Sequence, residues 1–487
     1  MPKPTTFYFY DLETSGVNPR DARVMQFAGQ RTDMDLTPVG EPHNLLIKLS
    51  EDVVPEPDAI LIHGFTPQKS IAEGMTEVEF LRIFHAEIAT PGTIFVGFNT
   101  IRFDDEFLRF MHYRNFYDAY EWQWQDGRSR WDMLDVVRMT RALRPEGIKW
   151  PVDSQGKPTN RLELLTAVNG LDHEHAHDAL NDVLATIALA RLIKTKQPKL
   201  FDYLLSIRGS SDGKKKIEVL ASGTEPFVYT SGKYSATYEK TTVVATIAGH
   251  PKRAGAALVY DLRHDPEPFL GLSPDQLAEC WRWKKDRTEL QLPVKTLQFN
   301  RCPAIAPLSV LDAASQQRLN LDSKKLQANL EKLRGAKNFV TNLFDALELM
   351  DERQQARFLE DEAEVDAQLY EGFFGDQDRT KMSVVRAADP ADPADLKHID
   401  IVFKDQRLQT MLPLYKARNF PNSLSESDKE IWQQFKERKL YGGKDNSRLA
   451  RYFKRLSELG ERTDLSGQQK YLLTEMELYG QSLMPEY

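Results

Sequence analysis

Apolar and polar positions along the first part of the chain follow a strand rhythm, then a helix rhythm, and repeat. Phe7-Tyr8-Phe9-Tyr10 leads into Asp11, Ile94-Phe95-Val96 is a second apolar run, and Phe103 to Met111 has helical spacing. This alternation predicts an α/β unit. Its last helix is expected from about Asp178 to Lys194, where Leu180, Val183, Leu184, Ile187 and Leu192 recur at helical intervals until Gln197-Pro198 interrupts them. Between about 199 and 350 the pattern changes to short β-rich runs, Pro226 to Tyr229, Thr241 to Ala248 and Ala256 to Leu262, separated by Gly, Pro and Asp. A small barrel is expected there, closed by a helical stretch from Ala313 to about Met350. Asp351 to Glu364 is strongly charged, and beyond it the pattern is helical, as in Ile431 to Leu440 and Ser447 to Leu459. Ala387 to Asp395 is of low complexity and is expected to be an exposed loop.

Length agrees with that division. At roughly 100–200 residues per domain, 487 residues should hold three domains. The expected boundaries are 1–196, 197–350 and 351–487. Cys280 and Cys302 are the only cysteines, and neither has metal-ligand spacing, which excludes a disulfide framework and a zinc ribbon. No apolar run approaches the roughly 18 residues that span a bilayer, and Asp11 and Glu13 precede any signal-peptide core, so a cytosolic protein is expected. A net charge of −8 excludes a protein that coats nucleic acid through overall basicity, but not one with a local basic groove.

Three short acidic motifs carry the candidate chemistry. Asp11 and Glu13, two apart at a strand end, project from the same face and can address one site. Alone, such a pair is more often a solvated strand end. Asp104 is expected at a helix start, where it could equally be an N-cap, with Asp105 and Glu106 complementing the dipole. His177 lies just before the expected 178–194 helix, Asp178 is the candidate cap, and Asp182 projects from the first turns among Leu180, Val183 and Leu184. A carboxylate in that setting needs a partner or a metal. His173 and His175 invite a zinc reading, yet there is no HExxH and no Cys partner. Carboxylates suit a harder ion, Mg²⁺ or Mn²⁺.

In this order Asp11, Glu13, Asp104, His177 and Asp182 resemble the Asp-Glu-Asp-Asp exonuclease superfamily, in the subgroup whose third motif is His-x4-Asp. Phe27 to Asp33, Gly97 to Glu106, Arg141 to Ile148, Ala176 to Asp182, Phe201 to Tyr203, Val365 to Tyr370 and Lys416 to Pro421 are similar to the bacterial exodeoxyribonuclease I family. The resemblance implies an α/β RNase H-like exonuclease domain, a β-rich SH3-like barrel and an all-helical C-terminal domain, closing over single-stranded DNA. It further implies a monomeric, cytoplasmic, processive 3′→5′ exonuclease that serves DNA repair and recombination. By the same resemblance Asp11, Glu13, Asp104 and Asp182 would bind two Mg²⁺ ions, with Mn²⁺ as a substitute, and His177 would take the proton from the attacking water. Glu13 and Arg161 would touch the substrate. The matching C-terminal segments argue against an RNA or proofreading exonuclease, and the five intact site residues argue against a binding scaffold.

Arg161 has support of its own. It precedes a helix-like run, Leu162 to Val168, with Asn160 as candidate cap, and a cation there opposes the dipole, which points to a bound phosphate; an ordinary surface arginine is the alternative. Candidate platforms for bases are Trp122, Trp124 and Trp131 with Arg128 and Arg130, and the run Trp281 to Lys285; each is equally a core feature. Lys214 to Lys216 is a solvated loop or a phosphate contact. The family also binds the acidic, aromatic-ended tail of single-stranded DNA-binding protein, for which Arg144, Tyr203, Arg318 and Arg334 are the candidates. Their alternative is ordinary surface packing.

Overall fold

The computed structural model describes residues 5–171, 178–282, 290–358, 364–388 and 401–484. The chain packs as two compact units: Met1–Arg128 with Glu174–Leu184 and Ala363–Tyr487, and Ser129–His173 with Ala185–Glu362. The 389–395 part of the low-complexity run lies outside the described residues; Ala387 ends the helix Asp376–Ala387.

The first unit is built on strands β1 (Thr6–Thr14), β2 (Val24–Thr32), β3 (His43–Leu46) and β4 (Thr93–Gly97), ordered β3-β2-β1-β4. β1 is antiparallel to β2 and parallel to β4, which makes the sheet mixed. Alternation along β1 sends Tyr8, Tyr10 and Leu12 into an aromatic core with Phe27, Phe80, Phe84, Phe95 and Trp122. Phe7 and Phe9, buried on the opposite face, are followed there by Asp11 and Glu13. Pairing with β4 ends at Phe9, whereas pairing with β2 continues to Thr14. The two carboxylates therefore lie past the end of the parallel pairing, where open α/β sheets place their sites.

C-terminal helices complete this unit. Phe110, Tyr113 and Phe116 share a core with Met382, Leu408, Met411, Tyr415, Trp432 and Phe435. Met25, Val53 and Ile60 share another with Leu449, Tyr452, Leu472, Met476 and Tyr479, from the helices Arg448–Gly460 and Gly467–Ser482. Between them lies a buried ion cluster. Arg418 bridges Asp52 at 2.8 Å and Asp366 at 2.7 Å, Arg23 meets Asp366 at 2.8 Å, and Lys439 meets Asp52 at 2.5 Å. Burial alone would push both acids up, but Arg418, with Arg23 and Lys439, overrides it and leaves both below the ordinary range. Burial brings the Lys439 ammonium down to about 8.

The second unit holds β5 (Ser129–Asp132) and an antiparallel sheet of β6 (Phe227–Thr230), β7 (Thr241–Gly249), β8 (Ala256–Asp261), β9 (Val294–Gln298) and β10 (Ala304–Pro307), ordered β10-β6-β7-β8-β9. Val243, Leu258, Tyr260 and Leu277 pack against Leu330, Phe339 and Leu343 of the helices Ser323–Gly335 and Lys337–Phe358. The expected β-rich region is present as this five-stranded sheet, and so are the helices expected after it. Lys214 to Lys216 sit exposed on a helix, Ser211–Ser222, rather than in a loop, because Ser210 caps it and Ile217 and Ala221 bury its other face. Among the described residues no helix is long and apolar enough to cross a membrane.

The ion cluster sets a testable asymmetry. Asp366→Ala leaves Arg23 and Arg418 short of a partner and should cost about 3–5 kcal/mol in denaturant unfolding. Lys439→Met should cost far less, because Arg23 and Arg418 still balance Asp52 and Asp366.

Candidate active site

The site begins at the C-terminal end of β1. Asp11 sits opposite Ala28 and Glu13 opposite Gln26 on β2, with a register shift after Glu13 that bends the strand away. The following backbone is tied down: Ser15 exchanges backbone hydrogen bonds of 2.8 Å and 2.6 Å with Arg23 and Glu56, and the Val17 N–H donates to Glu56 Oε1 at 3.1 Å. The strand end is thus fixed just beyond Glu13.

Asp182 reaches the same place from the helix Ala179–Lys196. Asp178 caps that helix, its Oδ1 accepting from Leu180 N at 3.0 Å, as the sequence suggested. Gln26, only 2 % exposed, accepts from Ala179 N at 3.4 Å and donates to Asn44 at 2.8 Å, linking the helix start to β2 opposite Glu13. One oxygen each from Asp11, Glu13 and Asp182 lie within 4.8 Å of one another.

Asp104 comes from the β4 side. A Cβ on Gly97 would fall 2.0 Å from Thr100 Cγ2 and 2.7 Å from Tyr10 O, so only glycine lets the chain turn so close to β1. A short turn, Thr100–Arg102, then leads into the helix Asp104–Arg114. Asp104 is not the cap: Phe103 occupies that position, and Asp104 is the first helical residue, buried. Its neighbours look elsewhere, Asp105 accepting from Tyr10 and Glu106 pairing with Arg109.

Crowding of like charges shows in the acidities. Burial first, then Asp104 and Asp182, push Asp11 well above the carboxylate range. Burial, then Asp11, Asp182 and Asp178, push Glu13 up to about 9. Such a set is uncomfortable without a cation, and its oxygen donors fit a hard divalent ion.

The other candidates fall elsewhere or in cores. His173, His175 and His177 lie outside the described residues, as do Trp283 to Lys285. Trp122 is wholly buried beside Phe84 and Phe95, and Trp131 packs edge-on against Phe201, so neither is a base platform; Trp124 is exposed. Arg128 and Arg130 are buried and donate to the carbonyls of Ala89 and Asn300. Trp281 donates to Val294 O. Arg161 belongs to the second unit, at the N-cap of the helix Leu162–Asn169 where Asn160 was expected, exposed and paired with Glu163. Arg144, Tyr203, Arg318 and Arg334 also belong to the second unit. Gln26 was not foreseen, because its role depends on the β1–β2 register and on where the Asp182 helix begins.

Residues 8–190 match the Exonuclease family, 213–347 the Exonuclease I SH3-like domain and 363–483 the Exonuclease I C-terminal domain. The chain is 40% identical to exodeoxyribonuclease I of Escherichia coli K12 over 88% of either chain. It is 39% identical to that of Haemophilus influenzae over 90% of its own length and 92% of the relative's. It belongs to the exodeoxyribonuclease I family. A solved exonuclease I from Methylocaldum szegediense superposes with a TM-score of 0.90 at 38% identity, covering 98% of this chain and 99% of that one. A zinc-bound E. coli ExoI–ssDNA complex gives 0.89 at 36%, and an SSB/Exonuclease I structure with an inhibitor gives 0.87 at 36%; each covers 99% of this chain and 100% of the other. The family accounts for the fold, an exonuclease domain followed by an SH3-like and a helical domain.

Glu13 makes the site's charge measurable. Its raised pKa means the metal-free fold gains from holding the proton: that gain is full below about pH 4.5 and is lost as pH rises through about 9. In EDTA, the melting temperature should therefore fall over that window. Glu13→Gln should flatten the fall, and Mg²⁺ should raise the melting temperature of the wild type more at pH 8.5 than at pH 6.

Proposed function

We propose that the protein is a processive 3′→5′ exonuclease that degrades single-stranded DNA to 5′-mononucleotides and serves DNA repair and recombination. The observation that carries this reading is the convergence of Asp11, Glu13 and Asp182 within 4.8 Å, with Asp104 adding to burial in pushing the pKa of Asp11 up. Single-stranded DNA as substrate is supported by the ssDNA complex of a relative 36% identical. We read the chain as three domains, 1–196, 197–350 and 351–487, in a monomeric, cytoplasmic protein.

Asp11, Glu13 and Asp182 would hold one divalent ion and Asp11 with Asp104 a second, Mg²⁺ by donor type with Mn²⁺ as substitute; bound ions supply a low-pKa water and neutralise charge on the leaving 3′ oxygen. The chain's own residues do the rest. Glu13 orients the terminal nucleotide. His177, five residues before Asp182, accepts the proton of the attacking water through its imidazole. Arg161, 66% exposed at a helix start, offers its fork to a backbone phosphate; its present partner is Glu163, a surface pair that exchanges at little cost.

We assign the tail of single-stranded DNA-binding protein to the second unit. Tyr203 lines an open cleft of about 520 Å³ with Lys216, Ile305 and Pro307, and Arg334 donates to Thr224 O at its edge. Arg144 and Arg318 pair with Asp312 and Glu146, both exposed and replaceable by an incoming carboxylate.

A 5′-labelled single strand and its blunt duplex, followed in Mg²⁺ with unlabelled trap, test the reading. Very short products from the single strand and a spared duplex are expected; binding without shortening, in Mg²⁺ and in Mn²⁺, would overturn it. Asp11→Ala should reduce turnover to background with the circular dichroism spectrum unchanged. His177→Ala should lower the rate about 10²–10⁴-fold while retaining metal binding; a wild-type pH–rate profile in that variant would remove His177 as the base.

A further inference from the structure

The geometry points to Tyr10 and Asp105 as a positioning pair that sets the spacing of Asp11 and Asp104, and so governs the second of the two proposed ion sites. The pair rests on the reading of those two aspartates as ligands. Tyr10 and Asp11 are successive on β1 and project to opposite faces of the sheet. Asp104 and Asp105 are likewise successive, at the start of the helix Asp104–Arg114. The Tyr10 hydroxyl donates to Asp105 Oδ1 at 2.5 Å, with both residues at most 2 % exposed. On the other face Asp104 bears on Asp11. The helix start thus straddles the strand end, bonded on one side and facing a charged neighbour on the other.

Both members are held so that they can act as a strut. The Tyr10 ring lies stacked on Phe27 at 6.0 Å and edge-on to Phe95 at 6.1 Å, which aims its hydroxyl. Burial works against the Arg109 guanidinium, one turn along the helix, but Asp105 and Glu106 outweigh it and hold its pKa up, and Arg109 is fixed by Glu106 at 2.6 Å and Gln123 at 2.9 Å. The buried Asp105 side chain therefore has a cation nearby and a donor. Without a strut, the repulsion between Asp104 and Asp11 would push the helix start away from the strand end. A hydrogen bond to a buried carboxylate opposes that movement through the adjacent peptide units.

Tyr10→Phe removes the donor and keeps the ring. We expect Mn²⁺ titrations, followed by calorimetry and electron paramagnetic resonance, to show one of two ions bound roughly 10–100-fold more weakly, and the other unchanged. Steady-state rates should show a lower kcat at fixed Mg²⁺, partly restored by more Mg²⁺, with KM for an oligonucleotide little altered. Asp105→Asn, which keeps an acceptor oxygen, should lie nearer the wild type than Asp105→Ala. Equal affinity for both ions in Tyr10→Phe and wild type would overturn the proposal. Asp104→Asn separates the two claims: if it loses an ion while Tyr10→Phe does not, only the strut fails, and if it too binds both ions, the ligand assignment fails with it.

Discussion

Five charged side chains buried together hold the first unit in register. Arg23 comes from the start of β2's approach, Asp52 from the loop after β3, and Asp366, Arg418 and Lys439 from more than three hundred residues later. Isolated, any of them would be expelled or neutralised by the cost of burial. Together they satisfy one another only in a single arrangement, so the cluster specifies which C-terminal segments meet which N-terminal ones, a role in which buried charge is better attested than in raw stability. Its reach extends to the chemistry. Arg23, whose side chain is in the cluster, also fixes Ser15 through its backbone, two residues beyond Glu13.

The active site shows the opposite use of charge. Carboxylates are brought together, and burial sharpens the conflict between them. Aromatic packing under β1 and helix contacts provide the rigidity that keeps them converged. Stability spent there has to be supplied by the surrounding cores and the ion cluster, a trade expected at sites built for metal-dependent chemistry.

Much of this was legible in the sequence. Apolar runs and helical spacing located β1, β4, the Asp104 and Asp182 helices, β6, β7 and β8 and the helical end, because buried segments carry such patterns. The Asp178 cap was legible because capping is local. Features that depend on distant pairing were not. The role of Gln26 follows from β1–β2 register, the bond of Asp105 to Tyr10 from the approach of a helix to β1, and the coreward fate of Trp122 and Trp131 from packing that composition does not encode. Beyond Tyr441 the helical pattern of Ser447 to Leu459 did not tell its partners, and in the fold Tyr452, Met476 and Tyr479 close the core around Ile60 and Val53.

That closure has a bearing on synthesis. A growing chain acquires β1 and its carboxylates more than three hundred residues before Asp366, Arg418, Lys439 and the helices Arg448–Gly460 and Gly467–Ser482. At about 5–20 residues per second, the strand waits on the order of tens of seconds for the residues that lock it. A nascent fragment that stops short of Asp366 lacks the partner of the Arg23 side chain, whose backbone ties Ser15 just beyond Glu13.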